Sequence, residues 1–321
     1  MGQLVEGKWT ADWQVPRGKS GEFVRGDSGI RNWITADAGA NFPAEPGRYL
    51  LYVSYACPWA HRTLLVRALK GLTHAIDVAV VDWHMTEDGW HFSDRDGATP
   101  DPVAARPFLR DVYTASNPTY SGRVTVPVLW DKKSAQIVSN ESAEIIRMLN
   151  SAFDEAAQNP IDLYPSDLRP EIDQINDRIY ATVNNGVYKC GFAGTQAAYE
   201  AAFEALFETL DLLEDRLGGH RYLIGNRLTE ADIRLFPTLV RFDAVYVNHF
   251  KCNRQRIVDY PNLWNYLRDL YQHPGIAETV DFHHIKQHYF RSHGSIDPLG
   301  IVPKGPDLDF TTPHDRDRFT A

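Results

Sequence analysis

Cysteine is scarce: Cys57, Cys190 and Cys252 are the three in 321 residues. An odd, widely spaced trio does not make a disulfide framework and suits a reducing cytoplasm. No apolar run reaches the roughly 18 residues of a membrane-spanning helix. Positive charge is also short, with 33 Lys and Arg against 42 Asp and Glu and a formal net charge of −9. That balance argues against a nucleic-acid or anionic-membrane partner. The opening Met1-Gly2-Gln3-Leu4-Val5-Glu6 lacks a signal-peptide core and the Ser or Thr of a myristoylation site. Internal repeats are missing too. Cores are affordable, since 43% of the residues are hydrophobic, and the length implies two domains.

The chain is organised around Tyr55-Ala56-Cys57-Pro58-Trp59-Ala60-His61-Arg62. An apolar run, Tyr49 to Val53, precedes it and reads as a strand. A helix over 58–70 follows, with Pro58 in its first turn and Gly71 as its stop. Cys57 therefore stands at a helix N-terminus, where unpaired N–H groups and the helix dipole favour thiolate over thiol. Its pKa is expected below the free value of roughly 8.5, making Cys57 a candidate nucleophile. A small buried residue that begins a helix is the bland alternative. A dithiol oxidoreductase would carry a second cysteine where Ala60 stands. Without it, a mixed disulfide on Cys57 needs an external thiol, and glutathione is the abundant one.

Residues 1–48 are an irregular extension, expected to be pinned to the body by Trp9, Trp13, Phe23 and Trp33. Ile76 to Val81 reads as a second strand, completing a right-handed βαβ unit. The long stretch from Asp82 to Gly122 reads as irregular, with Trp83, Trp90 and Phe92 packed near the thiol. Arg123 to Asp131 reads as a strand interrupted by Pro127, with a turn there and a cis Val126–Pro127 bond that leaves the Val126 backbone for an extended ligand. Ile137-Val138 returns as a hairpin.

An amphipathic helix then begins near Glu141-Ser142. Its N-terminus and the Ser142 hydroxyl can hold a carboxylate, and Glu141 an ammonium group, as one α-amino acid end requires. An ordinary helix cap is the alternative. Strand, helix, strand, strand, helix, closing near 150, is the thioredoxin-like order. Residues 151–169 read as a linker and 170–282 as an all-helical domain. Its signals include the stripe Phe203, Leu206, Phe207, Leu210, Leu213 and Leu217, a Thr229/Asp232 cap and a helix from Pro261 towards Gln272. Residues 283–321 read as a surface tail.

This layout is that of cytosolic glutathione transferases. Cys57-Pro58-Trp59-Ala60 with Val126-Pro127, Glu141-Ser142, the Thr229/Asp232 cap, and the arm carrying Phe23 and Arg25 closely resembles the Xi class, the glutathionyl-hydroquinone reductases. The resemblance implies that glutathione, as co-substrate and without a metal, meets Trp90, Arg123, Val126, Glu141 and Ser142. It further implies that Tyr188, Tyr246 and Tyr289 line an aromatic-substrate pocket, with Tyr188 and Tyr289 as proton donors beside the nucleophile Cys57. Read from the residues alone, the three tyrosines are core or rim. A glutathionyl-hydroquinone substrate and a homodimer are likewise implied. Two alternatives stand: an Omega-like thioltransferase or dehydroascorbate reductase, and a non-catalytic transferase-like binding module.

Four blander expectations complete the reading. His283, His284, His288 and His293 lie in the tail without matching cysteines and are not expected to bind metal. His61-Arg62 reads as the solvated face of the first helix. Cys190 and Cys252 read as small buried residues. Trp264, Tyr266 and Tyr271 read as packing.

Overall fold

The computed structural model describes residues 2–11 and 14–319; the anchoring expected of Trp13 lies outside the described residues. Two compact units form. The first comprises Met1–Gln14, Asp27–Ile161 and Glu278–His293, and the second Val15–Gly26, Asp162–Ala277 and Gly294–Ala321.

In chain order the first unit contains β1 (Gln3–Val5), β2 (Lys8–Thr10), β3 (Tyr49–Val53), α1 (Pro58–Leu69) and β4 (Ile76–Val80). It continues with α2 (Leu109–Ser116), β5 (Gly122–Arg123), β6 (Val128–Asp131), β7 (Gln136–Ser139) and α3 (Ser142–Ser151). The main sheet has the order β4-β3-β6-β7, with β3 parallel to β4 and the remaining pairs antiparallel. Every residue of β3 and β6 is buried, so both faces of the central strands are covered, and this explains why Tyr49 to Val53 is continuously apolar rather than alternating. The strand expected over 123–131 divides at Pro127. Gly122–Arg123 pairs with β1, in a small sheet ordered β2-β1-β5, whereas Val128–Asp131 joins the main sheet. The Val126–Pro127 bond between them is cis.

Helix α1 packs against α3 and is buried nearly all round, including His61 and Arg62 at 0% and 2% exposure. The solvated face expected there does not exist. His61 meets the Thr279 hydroxyl at 2.7 Å through Nε2, and the Arg62 guanidinium lies 4.5 Å from the Trp59 ring centroid. Gly71 ends the helix at φ +66°, a conformation glycine adopts without strain.

The stretch 82–122 is more ordered than its composition suggests. Helix α2 buries Leu109, Val112 and Tyr113 and is opened by Asp111 accepting from the Phe108 N–H. Two buried carboxylates organise the rest. Asp82 accepts from the His84 N–H, Ser93 and Arg95. Asp101 accepts from Tyr52, Arg106 and the N–H groups of Val103, Ala104 and Arg106. In both, burial alone would raise the carboxyl, but these donors outweigh it and hold the pKa below 3.8.

The arm is pinned unevenly. Trp9 donates from Nε1 to the Glu87 carbonyl at 3.1 Å and lies under the Arg110 guanidinium, while Trp33 is 42% exposed and anchors nothing by burial. Phe23 is buried in the second unit.

That unit is helical: α4 (Arg169–Ile179), α5 (Gly186–Gly191), α6 (Gln196–Gly219), α7 (Glu230–Arg241), α8 (Val247–His249) and α9 (Pro261–Gln272). Single π turns, Tyr180–Asn184 and Phe242–Tyr246, precede α5 and α8. The predicted stripe of α6 is buried from Leu206 to Leu217, with Phe203 at its edge. At α7, Thr229 and Asp232 form the expected reciprocal cap. Asp232 also accepts from the Leu223 N–H and the Tyr266 hydroxyl. Burial pushes the Asp232 carboxyl up against those donors. Trp264 and Tyr271 pack on Phe310, and Cys190 and Cys252 are free and buried.

The histidine-rich segment is not a loose tail. It forms α10 (Phe282–Ser292) within the first unit, and His284, His288 and His293 are buried while His283 is exposed. His284 Nε2 meets the Asp96 carbonyl at 2.6 Å, and His288 Nδ1 meets the Trp83 carbonyl at 2.9 Å. Burial of one face over successive turns, with His284 and Ile285 followed by His288 and Tyr289, explains the difference, which the clustered imidazoles obscured in the sequence.

Two outcomes are expected. Asp101→Asn lowers stability by about 3 kcal/mol, since it removes the buried carboxylate that pairs the half-buried Arg106 guanidinium. Because the folded pKa values of Asp82 and Asp101 lie below 3.8, their contribution is full above pH 3.8 and disappears as pH falls through those lower values. Thermal melts between pH 7 and pH 3 should show that acid loss, blunted in the variant. Separately, Thr229→Ala costs about 1 kcal/mol and Asp232→Ala about 3 kcal/mol, measured by urea unfolding; equal costs would mean that the Leu223 and Tyr266 bonds contribute nothing.

Candidate active site

Strand β3 delivers the chain to a tight turn in which the Cys57 N–H donates to the Ser54 carbonyl at 3.1 Å and the Ala56 N–H to the Ser54 hydroxyl at 3.2 Å. Cys57 is extended, with φ −78° and ψ 120°, and caps α1; Pro58 follows within the first turn. The Cys57 carbonyl accepts the first helical bond, from the His61 N–H. The thiol is half-buried, unlike those of Cys190 and Cys252. Cys57 adjoins the first turn of α1, where backbone donors lack intrahelical partners, and its side chain makes no capping hydrogen bond. Sγ is 3.5 Å from the Val126 carbonyl oxygen, so the cis-proline segment and the cysteine form one contact.

Glu141 caps α3, its Oε1 accepting from the Ala143 N–H at 3.0 Å. Its Oε2 accepts from the Ser28 hydroxyl at 2.9 Å. Ser142 is buried in the first turn of α3, and Arg62 of α1 reaches its hydroxyl at 3.5 Å. A carboxylate and a hydroxyl at one helix N-terminus can meet the two charges of an amino-acid end, as the sequence suggested. The ordinary helix cap that the sequence also suggested is present.

Trp90 is 7% exposed and stacks on His288 of α10, with centroids 4.8 Å apart and planes 22° apart. Tyr289, the next residue, is buried with its ring 5.3 Å from His293. Arg123 stands in β5 opposite Gln3 of β1, half-buried, and its carbonyl accepts from the Tyr120 hydroxyl. Burial raises that phenol to about 12.

Tyr188 and Tyr246 belong to the second unit. Their centroids are 6.3 Å apart, and each packs on Phe250, Tyr246 nearly parallel to it. Phe192 and Phe23 extend this cluster. The Arg25 guanidinium sits 4.8 Å from the Tyr188 centroid, a cation–π distance, and donates from Nε to Asn185 at 2.6 Å. Gly191 admits the cluster: a Cβ there would fall 2.1 Å from the Phe250 ring.

Several of these neighbours were missed. Phe192 and Phe250 follow Tyr188 and Tyr246 by four residues, a helical spacing that could have flagged them. Ser28, Arg62 and His288 carried no local signal, because their partners are distant in sequence.

The glutathione S-transferase N-terminal domain family matches residues 56–152, and the C-terminal domain family matches residues 196–269. The glutathionyl-hydroquinone reductase YqjG of Escherichia coli is 57% identical over 99% of both chains. Its glutathione-bound structure superposes with a TM-score of 0.91 at 55% identity, covering 98% of this chain and 99% of that one. A Xi class GST from Natrialba magadii has a TM-score of 0.93 at 50% identity, over 99% and 98%. This chain belongs to the Xi class of glutathione transferases, the glutathionyl-hydroquinone reductase family.

Proposed function

We propose that this protein reduces glutathionyl-hydroquinones to hydroquinones at the expense of glutathione. The observation that carries the reading is the half-buried Cys57 at the N-cap position of α1 with Ala60 at the fourth position of the motif, in a chain of this family. The Cys57 thiolate attacks the sulfur of the substrate's thioether, in its quinoid tautomer. In that tautomer the sulfur-bearing ring carbon has already taken a proton; the sulfur–carbon bond breaks, Cys57 and glutathione form a mixed disulfide, and the electron pair passes into the ring to give a phenolate oxygen that is protonated as aromaticity returns. A second glutathione thiolate attacks that disulfide, releasing oxidised glutathione and the Cys57 thiolate. The balance is one glutathionyl-hydroquinone and one glutathione in, one hydroquinone and one oxidised glutathione out. Ala60 leaves no internal thiol to compete for the intermediate.

In this scheme Val126 pairs through its backbone with the cysteinyl unit, and Glu141 and Ser142 hold the γ-glutamyl end. Trp90 covers the tripeptide, and Arg123 meets its glycyl end. Tyr188, Tyr246 and Tyr289 receive the aromatic ring, with Tyr188 and Tyr289 supplying protons. The proposal includes a 49–150 glutathione-binding domain, a 170–282 substrate domain, a homodimer and a cytoplasmic setting, where three cysteines outside any disulfide stay reduced. Among the described residues no helix is long and apolar enough to cross a membrane.

Hydroquinone release from a glutathionyl-hydroquinone should be fast with the native protein and fall by at least about three orders of magnitude in Cys57→Ala. Intact mass after exposure to oxidised glutathione should show an adduct on the native protein and none on the variant. Reduction of small mixed disulfides without hydroquinone release would replace this reading with a thioltransferase. Inertness in both assays would replace it with a binding module.

A further inference from the structure

The segment before β3 runs antiparallel beside the end of β7. The Asn32 N–H donates to the Val138 carbonyl at 2.8 Å, the Asn140 N–H to the Ile30 carbonyl at 3.0 Å, and the Ile30 N–H to the Asn140 side chain at 3.2 Å. Arg31 bridges Ser139 in the ladder and forms an ion pair with Glu144. This extra edge delivers Ser28 to Glu141. Its hydroxyl donates to Oε2 at 2.9 Å, with the Asn140 carbonyl also in reach at 3.2 Å.

Capping α3 needs one carboxylate oxygen, and Oε1 already takes the Ala143 N–H. The Glu141 backbone is held as well, its N–H donating to the Ser139 hydroxyl at 3.1 Å. A second tie, from a residue 113 positions away, adds nothing the cap requires. It does stop the carboxylate turning about its last bond. A carboxylate fixed at both oxygens presents its remaining lone pairs in one direction, and a cation meeting it pays no ordering cost.

We propose that Ser28 is a positioning residue for Glu141 that sets selectivity for the ammonium group of the γ-glutamyl end of glutathione; this rests on the assignment of that end to Glu141. The N-terminal arm is then part of the co-substrate site rather than a decoration of the fold.

The test is equilibrium binding by calorimetry to the full chain in a Cys57→Ala background, with two probes. One is glutathione and the other its deamino analogue, glutaryl-cysteinyl-glycine, which differs only in lacking the ammonium group. Ser28→Ala should raise the dissociation constant for glutathione about tenfold and leave that for the analogue unchanged, and Ser28→Thr should restore the difference. An equal rise for both probes, or no rise, overturns the inference, since a general loosening of the fold weakens both alike. Glu141→Gln is measured in parallel. If it narrows the preference for glutathione while Ser28→Ala does not, the positioning role alone fails. If Glu141→Gln leaves the preference intact, the assignment of the γ-glutamyl end fails and this inference with it.

Discussion

The junction of β3 and α1 is the constraint on which the rest depends. A strand buried on both faces must end, the chain must turn, and a helix buried nearly all round must begin, within four residues. Cys57 occupies the point where that helix has backbone donors and no intrahelical acceptors for them. Pro58 starts the helix at no cost in hydrogen bonds, and the Val126 carbonyl meets the sulfur from the segment that leads into β6. The thiol is thus fixed in place by backbone geometry, with side chains contributing mainly from outside.

Burial around α1 also explains the polar side chains that its sequence seems to misplace. His61 and Arg62 are not solvated because α3 and the start of the returning C-terminal segment cover the helix. Each finds a partner there, Thr279 for the imidazole and the Ser142 hydroxyl for the guanidinium. Asp82 and Asp101 act in the same way in the stretch after β4: a loop of unremarkable composition is held by two carboxylates, each collecting several donors. Removing the carboxylate from such a centre strands all of its donors at once, so order in this region is cooperative.

Chain segments far apart in sequence complete the first unit. Residues 27–35 add an edge beside β7, and α10 brings His288 beneath the ring of Trp90. In the second unit the arm contributes Phe23 and Arg25 to the cluster around Tyr188, while the π turns precede or carry the two tyrosines there. π turns at such positions often accompany function, because they rotate the following side chains relative to a regular helix.

The sequence by itself determined the strand–helix–strand–strand–helix order of the main sheet and its helices α1 and α3, the strand–cysteine–proline–helix junction, the cis bond at Pro127, the Thr229/Asp232 cap and the helix from Pro261 to Gln272. Each rests on residues within one turn or one strand, where composition and spacing act directly. Only the tertiary structure decided that Arg123 and Val128 serve different sheets, that α2 lies within 82–122, that His61 and Arg62 are buried, and that the histidine-rich segment is a helix of the first unit. It also decided that Ser28 ties Glu141. These depend on partners many residues away, and no periodicity records which distant donor will reach a given carboxylate.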